Sequence, residues 1–175
     1  MIQTKEEIEK WYSKDDPWEY EDNPDDLKRK DILLAEIPKR VYENVLDIGC
    51  GHGFITRDLP GERILGIDIS EEAIRKAKNY ENKRLKFFCG SIFELHKLFS
   101  ESYDLIIITG VLYPQYIGDS SNLVYMTIDR LLKDNGILIS VHIDEWYKCK
   151  FPYLVLKEYY YNYREYTHKL EIYVK

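Results

Sequence analysis

With 175 residues, 45% of them hydrophobic and 32% charged, the chain has the composition of one globular domain, which excludes long disorder and leaves little room for a second core. A net charge of −6 makes a nucleic-acid partner an unexpected one, because phosphate binding calls for a basic face. Three scattered cysteines, Cys50, Cys89 and Cys149, include no CxxC pair; neither a disulfide framework nor a metal site is expected, and a reducing, cytoplasmic setting is.

Residues 1–10 are charged and amphipathic, without an apolar signal region. Residues 3–12 read as a short helix with Ile8, Trp11 and Tyr12 on one side. An acidic, proline-bounded loop around Asp16, Pro17, Trp18 and Tyr20 follows. Helical spacing resumes over 25–37 through Leu27, Leu33, Leu34 and Ile37, and Pro38 stops it. The basic run Lys28-Arg29-Lys30 inside that helix is expected to be a solvated face. Residues 1–40 are thus expected to form a helical cap and 41–175 the main domain.

From there strands and helices alternate. Asn44–Ile48 reads as a strand and 53–59 as a short helix. Arg63–Asp68 reads as a strand and 71–80 as a helix with Ser70 as N-cap. Leu85–Cys89 is a third strand, followed by a turn or helix through Ile92, Phe93 and Leu98. Tyr103–Thr109 is almost wholly apolar, as a strand buried on both faces must be. A helix over 123–132, ended by Asn135-Gly136, leads to a fifth strand over 137–142. Such alternation implies right-handed crossovers and a parallel sheet. Residues 154–175 are β-rich with no room for another crossover helix, so an antiparallel hairpin at the sheet edge is expected. The fold class is therefore α/β: a doubly wound, mostly parallel, Rossmann-like sheet of seven strands. No run approaches the length of a membrane span.

The chemistry concentrates at Asp47-Ile48-Gly49-Cys50-Gly51-His52-Gly53-Phe54. A strand ends in an acid, and staggered glycines let the backbone turn and a ligand approach without a Cβ in the way. In the dinucleotide fingerprint GxGxxG, Phe54 occupies the place of the third glycine. A pyrophosphate also wants no carboxylate beside it, whereas Asp47 suits a cation such as an α-amino group. Asp68, 21 residues on and followed by Ile69, ends the second strand, where a carboxylate accepts from ribose hydroxyls. Gly90-Ser91-Ile92 closes the third strand with groups for an adenine edge and face. Thr109-Gly110 closes the fourth.

These residues, with Tyr103-Asp104-Leu105-Ile106 and the stretch from Leu131 to Leu138, resemble the successive motifs of class I S-adenosylmethionine-dependent methyltransferases. The resemblance spans residues 44–143. It implies S-adenosyl-L-methionine as cofactor, with Asp47, Gly49, Cys50 and Gly51 at its methionine part, Asp68 and Ile69 at the ribose, and Gly90, Ser91 and Ile92 at the adenine. Most relatives carry Asp where Ser91 stands. A narrower set, Asp16-Pro17-Trp18 with Tyr20 and Lys30 and then Val111-Leu112-Tyr113, is similar to the nodulation N-methyltransferase group, which methylates an amine on a sugar.

The implied activity is methyl transfer to a small molecule, an amine or amino sugar under the narrower likeness. The alternatives are a protein or RNA target and a non-catalytic adenosyl-ligand binder. Tyr113 and Tyr116 follow the fourth strand; His142, Asp144 and Trp146 follow the fifth. His142 is the titratable candidate for proton removal, with a structural histidine as the other reading, and Tyr113 is expected to line the pocket. Tyr116, Asp144 and Trp146 are candidates for the acceptor. Tyr12 and Trp18 are placed at the cofactor as part of a lid, or else anchor that segment. His52 is expected to be a spacer and His168 a surface residue. A monomer or homodimer is expected.

Overall fold

The computed structural model describes residues 3–14, 16, 17, 19–98, 102–148 and 150–175, with the side chain of His96 left aside. Among these residues seven strands form one sheet in the order β3-β2-β1-β4-β5-β7-β6. They are β1 (Asn44–Ile48), β2 (Arg63–Asp68), β3 (Leu85–Cys89), β4 (Tyr103–Thr109), β5 (Leu132–Ile143), β6 (Leu154–Tyr163) and β7 (Tyr166–Val174). The first five run parallel. β7 pairs antiparallel with β5, and β6 antiparallel with β7 at the edge. The doubly wound sheet and its terminal hairpin are those expected from the sequence.

Among the described residues, six α-helices accompany the sheet: α1 (Lys5–Tyr12), α2 (Pro24–Glu36), α3 (Glu71–Ala77), α4 (Leu95–Leu98), α5 (Pro114–Ile117) and α6 (Ser121–Leu131). Local chemistry sets their starts. Thr4 and Glu7 form a reciprocal capping box on α1, Asn23 caps α2 ahead of Pro24, and Ser70 caps α3. On one face of the sheet, Leu33 and Ile37 at the end of α2 and Ile74 and Ala77 of α3 pack on Val45, Ile107 and Ile139. On the other, α6 buries Val124, Ile128 and Leu131, at the i, i+4, i+7 spacing of an amphipathic helix, against Ile106, Ile108 and Leu138.

Four expectations need correction. Residues 53–59 hold a single 3-10 turn, Thr56–Asp58. Gly53 sits at φ +89°, outside the right-handed helical region, so no regular helix begins there, and the Phe87 ring, 2.9 Å from where a Cβ would stand, reserves the position for glycine. Asn135-Gly136 does not terminate α6, which ends at Leu131; these residues lie in a bulge of β5, where the register with β4 jumps from Tyr103↔Leu132 to Leu105↔Ile137. Leu27 is exposed, so the apolar stripe of α2 starts later than its leucines suggest. His168 is buried against Tyr163, the rings stacked 3.7 Å apart, and is no surface residue. Among the described residues, no helix is long and apolar enough to cross a membrane, and no cluster of metal-ligating side chains occurs.

Candidate active site

β1 and β2 end side by side, with Asp47 paired to Gly66 and Ile48 to Ile67. Their C-terminal tips carry Asp47 and Asp68, both buried. Between them the chain turns through Gly49 (φ +77°) and Gly51 (φ +55°). A Cβ at Gly49 would stand 2.1 Å from a Val111 methyl, and one at Gly51 would meet the Tyr12 hydroxyl at 3.0 Å. Side-chain-free backbone is therefore required here both by conformation and by space.

Asp68 organises this loop. Its carboxylate accepts the Gly51 and Ser70 amides at 2.9 Å each. It thereby fixes the glycine turn to the start of α3 and still has lone pairs for a ligand. Asp47 accepts the Thr56 hydroxyl at 2.7 Å. Burial, reinforced by the nearby Asp68, pushes the Asp47 carboxyl up to about 6. A cation bound in the cleft would return it to the ionised form.

The remaining strand tips complete the crevice. Gly90 donates to the Asp68 carbonyl at 2.9 Å, and the Ser91 hydroxyl accepts the Phe93 amide at 3.3 Å, so Ser91 shapes the turn after β3. Ile92 is buried in the core beneath it, and Ile69 leaves an apolar side chain exposed beside Asp68. Gly110 (φ +66°) lies in open space past Thr109. Cys50 is buried, and both desolvation and the two aspartates hold its thiol protonated. Tyr12, Asp47, Gly49, Cys50, Gly51 and Thr109 line one cleft, together with Tyr20, Arg29, Phe54 and Ile55. Trp18 lies outside the described residues.

The N-terminal segment lies over this cleft through specific bonds. The Gln3 amide donates to the Gln115 carbonyl at 2.7 Å. The Glu9 carboxylate accepts the Ser70 hydroxyl and the Glu71 and Glu72 amides at 2.8, 2.6 and 3.2 Å, capping α3 from outside. Lys76 donates to the Tyr12 carbonyl at 2.8 Å. His52 is no idle spacer: its Nε2 lies 3.3 Å from Glu21, and its ring packs on Tyr20.

His142 is the main departure in chemistry. Its Nε2 accepts the Leu112 amide at 3.1 Å, which leaves the proton on Nδ1, 3.0 Å from the Ser140 hydroxyl. Burial pushes the imidazole down to about 3. Both nitrogens are taken by the fold, so His142 holds the turn after β4 in the neutral form and has no lone pair for an acceptor's proton. Tyr113 is likewise tied down: its hydroxyl accepts the Ile143 amide at 2.9 Å, and its ring stands edge-on to His142 and Trp146. Trp146, Pro114, Gln115 and Glu145 line a second, open recess. Tyr116 leans on Tyr113 at 6.1 Å. Asp144 faces Lys148 at 4.0 Å rather than that recess.

Residues 40–169 match the family described as a methyltransferase domain. The chain belongs to that family. It is 32% identical over 124 residues to nodulation protein S of Rhizobium tropici, covering 68% of this chain and 50% of that protein. It is 34% identical over 110 residues to trans-aconitate 2-methyltransferase of Deinococcus radiodurans, covering 61% of this chain and 40% of that one. The chain thus spans about half the length of these curated relatives. The N-methyltransferase NodS of Bradyrhizobium japonicum WM9, solved with S-adenosyl-L-homocysteine, superposes with a TM-score of 0.80 at 21% identity, over 97% of each chain. That likeness establishes the methyltransferase fold.

Within this family fold, sequence reasoning missed Arg29. The run Lys28-Arg29-Lys30 is not a solvated face, because Arg29 is 6% exposed and lines the cleft. Lys30 is turned onto Asp58 in an ion pair. The available signal was helical phase: Asp26, Arg29 and Leu33 follow at i, i+3, i+7 and share the inward stripe.

Proposed function

We propose that this chain transfers a methyl group from S-adenosyl-L-methionine to a small-molecule acceptor, an amine in the finer form of the proposal. The observation that carries it is the pair of buried carboxylates at adjacent strand tips, Asp47 and Asp68, joined by a turn that has no space for a Cβ. That constellation complements an ammonium group at one end and ribose hydroxyls at the other, and it disfavours a diphosphate. When bound, the cofactor supplies a methyl group already activated by its sulfonium.

The protein's task is then positioning and exclusion of water. Fixing two reactants in line is worth roughly 7–11 kcal/mol in well-oriented systems. Asp68 fixes the glycine loop, Thr109 lines the cleft, and the Tyr113 ring braces Trp146 of the second recess. We assign α1 and Tyr12 the role of a lid that keeps solvent from the cleft. An acceptor enters past Gln115, Glu145 and Trp146, where an aromatic face and a carboxylate suit an amine. It must arrive neutral, and His142 does not take its proton. A cytoplasmic setting agrees with the unpaired Cys50 and Cys89.

Release of S-adenosylhomocysteine, measured across amino sugars, simple amines and polycarboxylates, tests the acceptor class. We expect turnover with an amine, and Trp146→Ala should raise its KM severalfold while leaving cofactor affinity in place. Turnover confined to carboxylates would refute the amine assignment, and turnover with none would refute the small-molecule one.

A further inference from the structure

β6 ends the sheet and pairs on one side only, with β7. Residues 154–160 are all exposed, and among them are Leu154, Val155, Leu156, Tyr159 and Tyr160, with Leu154 at 67% and Tyr160 at 55%. An edge strand of ten residues without proline is a template for another strand unless charge guards it. Here the two charges at its middle are neutralised within the chain. Lys157 lies 3.0 Å from Glu36 of α2, and Glu158 lies 3.1 Å from both Lys150 and Lys169. The direction of the free backbone follows from β7. The Thr167 amide donates to the Glu145 carboxylate at 3.1 Å and its carbonyl accepts the Asp144 amide at 2.8 Å, both on the β5 side. Its register partner Asn162 therefore points outward, where its carbonyl accepts Lys28. By alternation, the amides and carbonyls of Glu158 and Tyr160 point outward as well.

We propose that this edge pairs antiparallel with the same edge of a second copy of the chain, about a two-fold axis through Tyr159. An axis normal to the sheet keeps every side chain on its own face, so it must pass through a residue and set that residue against itself. Through Lys157 or Glu158 it would oppose like charges. Through Tyr160 or Tyr161 it would need the Asn162 carbonyl, which Lys28 holds. The register shift between Val155 and Lys157 breaks the ladder on the other side. Through Tyr159 it sets two tyrosines together and Lys157 against the ring of Tyr161. It also brings Glu158 beside Tyr160, whose hydroxyl it already accepts at 3.1 Å within one chain. The exposed parts of the five apolar side chains amount to on the order of 500 Å², close to the roughly 600 Å² per partner of the smallest specific interfaces. The dimer is accordingly a weak one, of micromolar affinity. Two seven-stranded sheets become continuous, and the two clefts open at opposite ends of the joined sheet.

Sedimentation velocity of the full chain across the micromolar range, with no ligand added, tests the pairing independently of any catalytic assignment. We expect a reversible shift from monomer to dimer as concentration rises. Tyr159→Lys sets two ammonium groups on the axis and should raise the dissociation constant about tenfold or more, with circular dichroism matching the wild type. Cross-linking reads the register without a charged variant. Under mild oxidation Tyr159→Cys should give a disulfide-linked dimer, and Lys157→Cys, which the axis sets against Tyr161, should not; the wild-type chain reports any linkage through native cysteines. A chain that stays monomeric throughout overturns the proposal, as does a dimer that a folded Tyr159→Lys leaves intact. Cross-linking through Lys157→Cys rather than Tyr159→Cys, or growth beyond a dimer, overturns it equally.

Discussion

Replacing His142 tests whether it is a neutral structural residue or a base. Its imidazole is held at about 3 against an ordinary 6.5, with burial as the cause. Between those values the unfolded chain binds a proton that the folded chain refuses, so stability falls as pH drops through this window. At pH 5 the penalty is about 2 kcal/mol relative to pH 8. His168, also held at about 3 chiefly by burial, adds a similar amount. Asp47 acts in the opposite sense. Its folded value of about 6 lies above the ordinary 3.8, so it gains stability on acidification, by about 1 kcal/mol at pH 5. The wild-type curve is therefore a sum of opposing contributions, and the comparison with His142→Gln isolates the one of interest. Urea denaturation at pH 8, 7, 6 and 5 should give a variant that is less stable at pH 8, having lost its imidazole contacts, yet falls by about 2 kcal/mol less on going to pH 5. Parallel curves for the two proteins would refute the neutral, buried assignment and reopen His142 as a proton acceptor.

Three further outcomes follow from the site. Asp68→Asn should weaken S-adenosylhomocysteine binding at least tenfold by calorimetry, with a lowered Tm, because a charged acceptor for ribose and for two backbone amides is lost; unchanged affinity would remove Asp68 from the ribose site. Gly49→Ala should abolish cofactor binding, since its Cβ would overlap the Val111 methyl at 2.1 Å on a backbone already at φ +77°; near-normal binding would show that the turn is softer than drawn. Tyr113→Phe leaves the buried Ile143 amide without its acceptor and should cost about 1–3 kcal/mol in urea denaturation. A change below about 0.5 kcal/mol would mean that another group accepts that amide.

The strands were legible because each is short, bounded by charged or turn residues, and apolar where the sheet buries both faces. Asn44–Ile48, Arg63–Asp68, Leu85–Cys89 and Tyr103–Thr109 begin and end where the pattern puts them. The glycine turn was legible too, because its sequence constraint is local. What escaped was set by partners distant in sequence. Arg29 reads as one of three solvated cations until Tyr163 and Arg164, 137 and 138 residues beyond Asp26, are folded against that aspartate. His142 reads as a base until the Leu112 amide, thirty residues earlier, claims its lone pair. The helix after the glycine loop fails at Gly53, whose φ of +89° is unavailable to a right-handed helix and whose place beside the Phe87 ring of β3 is not visible in the local sequence.

Calorimetric titration of the purified chain with S-adenosylmethionine, S-adenosylhomocysteine and NAD addresses the cleft most directly. We expect both sulfur compounds to bind and NAD to give no heat, because Asp47 stands where a diphosphate would have to lie. Binding of NAD with neither sulfur compound bound would contradict the assignment of the two strand-tip carboxylates and the glycine turn to an adenosyl amino acid.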